Sequence, residues 1–391
     1  MTEERSKRRL RICLVGPAYP YRGGISHYNT TLAKELSKRH EVHIVNYSRL
    51  YPEFLFPGKT QLDESESAFS YPSRRIIDSV NPFTWVYAGF YLAHLKPDVT
   101  IFQWWHPYFA PALSKIGLIL KFLRRGKNIF ICHNVVPHER SPVDRMLSHI
   151  AFTAAHAFLV QSTEDRENLL RMKRRALVGY HPLPIFDFFR KGGLARGEAR
   201  RRVGSEEDRP LLLFFGYIRA YKGLRHLIEA MKLIVEDLDA RLLVVGEFYE
   251  ERESYYSLVS ELGLGDRIRF VDRYVDNDEV EAFFIASDLV VLPYITATQS
   301  GIVQIAFSFD RPVVVTDVGG LPEVVSEGKT GFVVPAGNPP AIADAVVRFF
   351  REGWAERMAP CFPEEKERFS WGSLAETLGN LITRVRGGDA R

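Results

Sequence analysis

At 391 residues the chain is too long for one compact core and suits two domains of ordinary size. Its 46% hydrophobic and 26% charged residues exclude a disordered or fibrous polypeptide. Lys and Arg number 52 against 48 Asp and Glu, a net +4 that is too small to argue for nucleic acid.

Cys13, Cys132 and Cys361 lie far apart without metal-ligand spacing, and two of them sit inside apolar runs. Free thiols in a reducing compartment are therefore expected rather than a disulfide. The N-terminus, M-T-E-E-R-S-K-R-R, lacks the apolar core of a signal peptide, and no run approaches the ~20 apolar residues of a membrane span. A cytoplasmic location is expected.

In chain order, residues 10–15 read as a buried strand, followed by a loop with Gly23 and Gly24 and a helix over 28–37. A strand over 42–47, an aromatic-rich helix over 81–95 and a strand over 99–102 come next. Helix 112–123, strand 128–132, helix 143–154 and strand 157–161 continue the alternation. Residues 190–202 then carry six cations (Arg190, Lys191, Arg196, Arg200, Arg201, Arg202) against Glu198 alone, and read as a solvated connection between domains. From residue 209 the alternation restarts, with strands at 211–215, 241–245, 268–270, 289–292 and 313–316, and helices at 224–235, 250–261, 278–285, 302–307 and 339–350. Such alternation predicts an α/β chain of two Rossmann-like, doubly wound parallel sheets, with ligands at the C-terminal ends of the strands. The expected domains are 1–190 and 209–368, with a linker at 191–208 and a C-terminal helix in 369–391 returning to the first domain.

The segment F-F-G-Y-I-R-A-Y-K-G places Gly216, Arg219 and Lys222 between a strand and a helix N-terminus. Free N–H groups, the helix dipole and two cations together attract an anion, and a diphosphate is the natural guest. Gly23-Gly24 before a helix offers a second close backbone approach to phosphate. Without G-x-G-x-x-G, an oxidoreductase reading loses support. His106 and His133 each leave a strand at its C-terminal end, with His138 and Glu139 close behind His133. The loop 296–301 precedes a helix and exposes further N–H groups. Asp276 and Asp278 open another helix, where capping is the expected role. No residues form a convincing metal set.

Together these segments resemble the retaining GT-B glycosyltransferases, over about residues 11–371. The likeness rests on F-F-G-Y-I-R-A-Y-K-G-L, V-V-G-E, S-D-L-V-V-L-P-Y, R-P-V-V-V-T-D-V-G-G-L-P-E-V-V and G-K-T-G-F-V-V-P in that order. The resemblance implies two domains facing a cleft, the second holding a nucleotide sugar and the first a glycan or lipid-linked acceptor. It assigns Arg219 and Lys222 to the donor diphosphate, Gly23 and Gly24 to the phosphate loop, and His133 to the transferred sugar. His106 falls on the acceptor side. Where the family carries E-G-F-G-x-x-x-x-E-A, this chain has A-T-Q-S-G-I-V-Q-I-A, so Ala297 and Ile305 replace the two Glu. Thr298, Gln299, Ser300, Gly301 and Gln304 are the polar or backbone groups left to contact the donor.

The implied reaction moves a hexose from a nucleoside-diphosphate sugar to a hydroxyl with retention, requiring neither a metal nor another cofactor. A nucleotide-sugar-binding relative that no longer catalyses, and a nucleotide-sugar epimerase of the same fold, stay open as alternatives. Peripheral membrane contact, at the inner face of the membrane, is a further expectation. It is drawn from Lys115, Lys121, Arg124, Arg125 and Lys127 among apolar residues, and from Trp85, Tyr87, Phe90 and Tyr91.

Overall fold

A computed structural model describes residues 8–52, 60–63, 70–135, 142–205 and 209–388. The chain divides into two compact units, one of Met1–Pro182 with Trp371–Arg391 and one of Leu183–Ser370. The first unit runs β1 (Arg11–Val15), α1 (Gly24–Ser37), β2 (Glu41–Arg49), β3 (Ser73–Asp78), α2 (Pro82–Leu95) and β4 (Val99–Trp104). It continues α3 (Ala110–Phe122), β5 (Lys127–Cys132), α4 (Pro142–Thr153), β6 (Ala157–Val160), α5 (Thr163–Met172) and β7 (Val178–Tyr180). Its seven strands form one parallel sheet in the order β3-β2-β1-β4-β5-β6-β7. Strands β4 and β6 are buried throughout because helices cover both faces, which is why they read as unbroken apolar runs.

The second unit contains α6 (Arg196–Arg202), β8 (Leu211–Phe215), α7 (Leu224–Asp237), β9 (Arg241–Val245), α8 (Glu253–Glu261), β10 (Ile268–Val271) and α9 (Asn277–Ala286). There follow β11 (Leu289–Leu292), α10 (Gly301–Ser308), β12 (Val313–Thr316), α11 (Leu321–Val324), β13 (Gly331–Val334), α12 (Pro339–Arg351), α13 (Trp354–Met358) and α14 (Phe362–Glu367). Its sheet is also parallel, ordered β10-β9-β8-β11-β12-β13. The last helix, α15 (Trp371–Gly387), belongs to the first unit. There Trp371 packs on Tyr28 of α1, and Arg386 donates to Asp98 at 3.0 Å. Both sheets reverse their strand order once, between β1 and β4 and between β8 and β11, and ligands gather at such switch points.

Three strands, β3, β7 and β13, were absent from the sequence-based elements. The sequence of β3, S-R-R-I-I-D, hides an edge strand whose Arg74 and Arg75 face solvent, so its pattern is not apolar. β7 has only three residues. The basic run at 190–202 lies in the second unit, and five of its six cations are exposed. Each of its six cations finds a carboxylate: Arg190 Asp310, Lys191 Asp278, Arg196 and Arg200 Asp288, and Arg201 and Arg202 Glu198. Arg200 is buried, and Asp288 also accepts from the Leu211 N–H at 2.8 Å, tying α6 to the start of β8.

Candidate active site

In the second unit β8 ends at Gly216, whose φ of 105° leaves the chain in a region that favours glycine. A Cβ there would stand 2.9 Å from the Lys222 ammonium, so the missing side chain makes room for the cation. A one-turn 3₁₀ segment, Ala220–Lys222, then leads to Gly223 at φ 67°. A Cβ at Gly223 would fall 1.9 Å from the Pro293 carbonyl, which fixes the start of α7 against the end of β11. The α7 N-terminus has neither a capping side chain nor an acid in its first turn, so its positive end is unmet.

Lys222 is 8% exposed, and burial, aided by repulsion from Arg219, pushes its pKa down from 10.5 to about 8. Its ammonium lies 5.6 Å from the Tyr294 ring, and the Arg219 guanidinium lies 5.0 Å from that of Tyr249. Among the described residues neither cation has a carboxylate partner. An almost fully buried ammonium beside a second cation and a helix N-terminus is a site arranged for an anion.

The loop after β11 completes this rim. Thr316 Oγ1 donates to the Tyr294 carbonyl at 2.6 Å and Gly320 N to the Thr298 carbonyl at 2.9 Å. Gly319 lies so close to Ala297 that a Cβ would stand 1.6 Å from its carbonyl oxygen. Ser300 caps α10 by accepting from Ile302 N, and Gly301 rests on the Phe186 ring. Thr298 and Ser300 are buried, and Gln299 is half-buried. Gln304 is 1% exposed, and neither atom of its amide has a hydrogen-bond partner among the described residues. Sequence reasoning missed an aromatic ladder on the same rim. Tyr217 stacks on Tyr249 at 4.5 Å and on Tyr274 at 6.3 Å, each of the three following a strand end by two to four residues.

The first unit presents its own switch point. Gly23, at φ 105°, precedes α1, whose N-terminus lacks a capping side chain and first-turn acid. A Cβ on Gly23 or Gly24 would meet nothing within 4 Å, so the backbone there is open. His133 follows β5 and is buried. Its Nε2 lies 2.7 Å from Gln103 Oε1, while Gln103 Nε2 donates to Asn29 Oδ1 at 3.1 Å. Asn29 Nδ2 in turn donates to the Pro17 carbonyl at 3.0 Å. A backbone carbonyl can only accept, so this relay orients both amides and places the imidazole proton on Nε2. Burial lowers the His133 pKa from 6.5 to about 3, against an opposing hydrogen bond with Gln161, and the ring is neutral at neutral pH. Tyr28 meets its edge at 4.7 Å.

Residues 209–352 match the model of the family described as "Glycosyl transferases group 1". That match lies within the second unit, and the family it describes is one of glycosyltransferases. The α-D-kanosaminyltransferase of Streptomyces kanamyceticus is 27% identical to this chain over 292 residues, 72% of the chain and 74% of the relative. The D-inositol 3-phosphate glycosyltransferase of Streptomyces avermitilis is 28% identical over 276 residues, 67% of the chain but 58% of that protein. Only 47% of an uncharacterized Methanocaldococcus jannaschii glycosyltransferase is spanned, at 29% identity over 46% of this chain. HepE of Anabaena in complex with UDP-glucose superposes with a TM-score of 0.72 at 17% identity, covering 95% of this chain and all of that one. Together with the two parallel sheets, this likeness shows the GT-B fold.

In this chain the second unit brings together Gly216, Arg219, Lys222 and the loop carrying Thr298–Gly301, while Gly23, Gly24, His106 and His133 belong to the first. The two positions where the family's Glu were sought, Ala297 and Ile305, are buried and apolar, 7% and 5% exposed. His106 is exposed and its Nδ1 accepts from Tyr108 N at 3.1 Å, capping a turn. His138 and Glu139 lie outside the described residues. Asp276 occupies the N-cap position of α9 but makes no side-chain capping bond, and Asp278 pairs instead with Lys191. All three Cys are free thiols, with Cys13 and Cys132 buried. Among the described residues no helix is long and apolar enough to cross a membrane, and no cluster of His, Cys, Asp or Glu could hold a metal.

Proposed function

We propose that this chain transfers a hexose from a nucleoside-diphosphate sugar to a hydroxyl of a glycan or lipid-linked acceptor, with retention at the anomeric carbon. The observation that carries this reading is Lys222, a buried ammonium with no carboxylate partner among the described residues, next to Arg219 and the N-terminus of α7, which has no capping side chain or first-turn acid. As the bond from the anomeric carbon to the diphosphate oxygen breaks, negative charge gathers on the leaving group. Lys222, Arg219 and the helix N–H groups meet that charge already in place, a preorganised stabilisation without any need for a divalent cation. The acceptor oxygen forms the new bond, and its proton passes to the departing diphosphate.

Buried Ala297 and Ile305 supply no nucleophile, which fits attack from the leaving-group side. Gln304, Thr298 and Ser300 stand in for the missing carboxylates toward the donor's hydroxyls, and the Tyr217 ladder offers a face on which its base can stack. In the first unit, the open backbone at Gly23-Gly24 is a second place for phosphate. His133 is neutral and its Nε2 proton is held by Gln103, so it would meet the sugar as a neutral ring and not as a cationic acid.

Calorimetric titration with UDP, GDP and ADP, then with their sugars, tests the donor site. Arg219→Ala and Lys222→Ala should each lower turnover by ~10²-fold, the scale for one preorganised charge-stabilising group. Transfer at the parent rate by both variants refutes the diphosphate assignment, and chelator should leave turnover unchanged. The apolar residues at positions 297 and 305 also favour a second reading, a donor-binding relative without turnover. Tight nucleotide-sugar binding with neither transfer nor hydrolysis would establish it.

A further inference from the structure

Helices α2, α3 and α4 lie side by side on one face of the first unit's sheet, with Gly89 against Ile119 and Gly117 against Ala154 at their seams. Their outer surfaces are unusually apolar. Phe83 is 83% and Phe122 is 86% exposed, and neither packs in the core. Tyr87 and Phe90 continue the Phe83 stripe at helical spacing, and Ile150 extends the surface onto α4. Single exposed apolar residues need no explanation, but a surface running over three adjacent helices does.

The charges on this face are almost all positive. Lys115, Arg124 and Arg125 are exposed and have no carboxylate partner among the described residues. Across the three helices the only acid is Asp144. The contrast is internal to the chain, since all six cations at 190–202 are matched by acids. Unmatched cations bordering large aromatics suit a surface that is anionic outside and apolar beneath.

We propose that this face docks on a bilayer containing anionic lipid, with Phe83 and Phe122 entering the boundary between headgroups and acyl chains and the cations meeting lipid phosphates. The helices lie on the membrane, since none described can cross it. Charge complementarity selects lipid over a protein partner, for which the cations would need acidic counterparts.

The test is co-sedimentation of the full chain with vesicles of phosphatidylcholine alone or mixed with phosphatidylglycerol, at low and high salt. The chain should bind the mixed vesicles, bind phosphatidylcholine at least tenfold more weakly, and leave both in high salt. Each of Lys115→Gln, Arg124→Gln and Arg125→Gln should weaken binding about fivefold, and Phe83→Ser with Phe122→Ser by about tenfold or more. Melting temperature and UDP binding serve as controls and should not change. Equal partitioning onto both vesicles, or binding indifferent to the Phe pair, overturns the proposal. So does a concentration-dependent dimer in light scattering that Phe122→Ser dissociates, which would assign the face to a second copy.

Discussion

Lys222→Met separates what the ammonium does for a ligand from what it does to the fold. Burial brings the Lys222 pKa down from 10.5 to about 8. At about 1.4 kcal/mol per pH unit, keeping the group charged in the folded protein costs on the order of 3 kcal/mol at neutral pH. The Tyr294 ring, 5.6 Å away, offsets about 1 kcal/mol of this. Methionine keeps an unbranched stem without the charge, so the variant should be more stable by about 2 kcal/mol at neutral pH. The sign follows from proton counts. Between pH about 8 and 10.5 the unfolded chain retains a Lys222 proton that the folded chain has lost. The parent therefore gains stability as pH rises through that window, and the difference closes by its upper end. Scanning calorimetry should show a melting temperature raised by roughly 4–8 °C at neutral pH for a unit of this size, with the gap vanishing near pH 10.5. The same protein should bind UDP ~10²-fold more weakly. A variant less stable than its parent at neutral pH, or one binding UDP equally well, would refute this reasoning.

Gly223→Ala forces a Cβ to 1.9 Å from the Pro293 carbonyl at φ 67°, so urea denaturation should show a loss of more than about 1 kcal/mol, and an unchanged midpoint would contradict the packing. Gln304→Leu removes two buried, unpartnered amide atoms. It should raise stability by about 1–3 kcal/mol while weakening nucleotide-sugar binding, and a destabilised variant would show that the amide has a partner. His133, with a pKa near 3, should contribute no acid limb to the kcat profile around pH 6.5. Nitrogen-15 shifts should report a neutral ring protonated on Nε2; a charged ring at neutral pH would contradict the effect of burial, and a neutral ring protonated on Nδ1 would overturn the Gln103–Asn29 relay.

Much of the second unit was legible because its strands are short, uniformly apolar and punctuated by glycine. The turn from Gly216 to Gly223 could be placed from the order of its residues alone, since an apolar run, two cations and an amphipathic helix admit few arrangements. What could not be read was burial. Nothing in R-A-Y-K-G says that Lys222 is enclosed while Arg219 is exposed; that depends on Gly216 yielding space and on β11 arriving alongside. The pairing of the run at 190–202 was hidden for the same reason, because three of its acids, Asp278, Asp288 and Asp310, lie about ninety or more residues further along. The relay from Pro17 to His133 likewise joins four segments that only the sheet register brings together. Edge strand β3 escaped because an edge tolerates the charges that a central strand excludes.

The central claim is that Lys222 meets the donor's diphosphate as a cation, and the pH dependence of UDP affinity measures this most directly. Bound diphosphate should raise the Lys222 pKa from about 8, so the dissociation constant should be level between neutrality and that pH. Above it, affinity should fall by up to about tenfold per pH unit, with a matching proton uptake on binding. In Lys222→Met the slope should disappear. An affinity that stays level from pH about 8 to 10.5, or a slope that survives in the variant, would contradict the account.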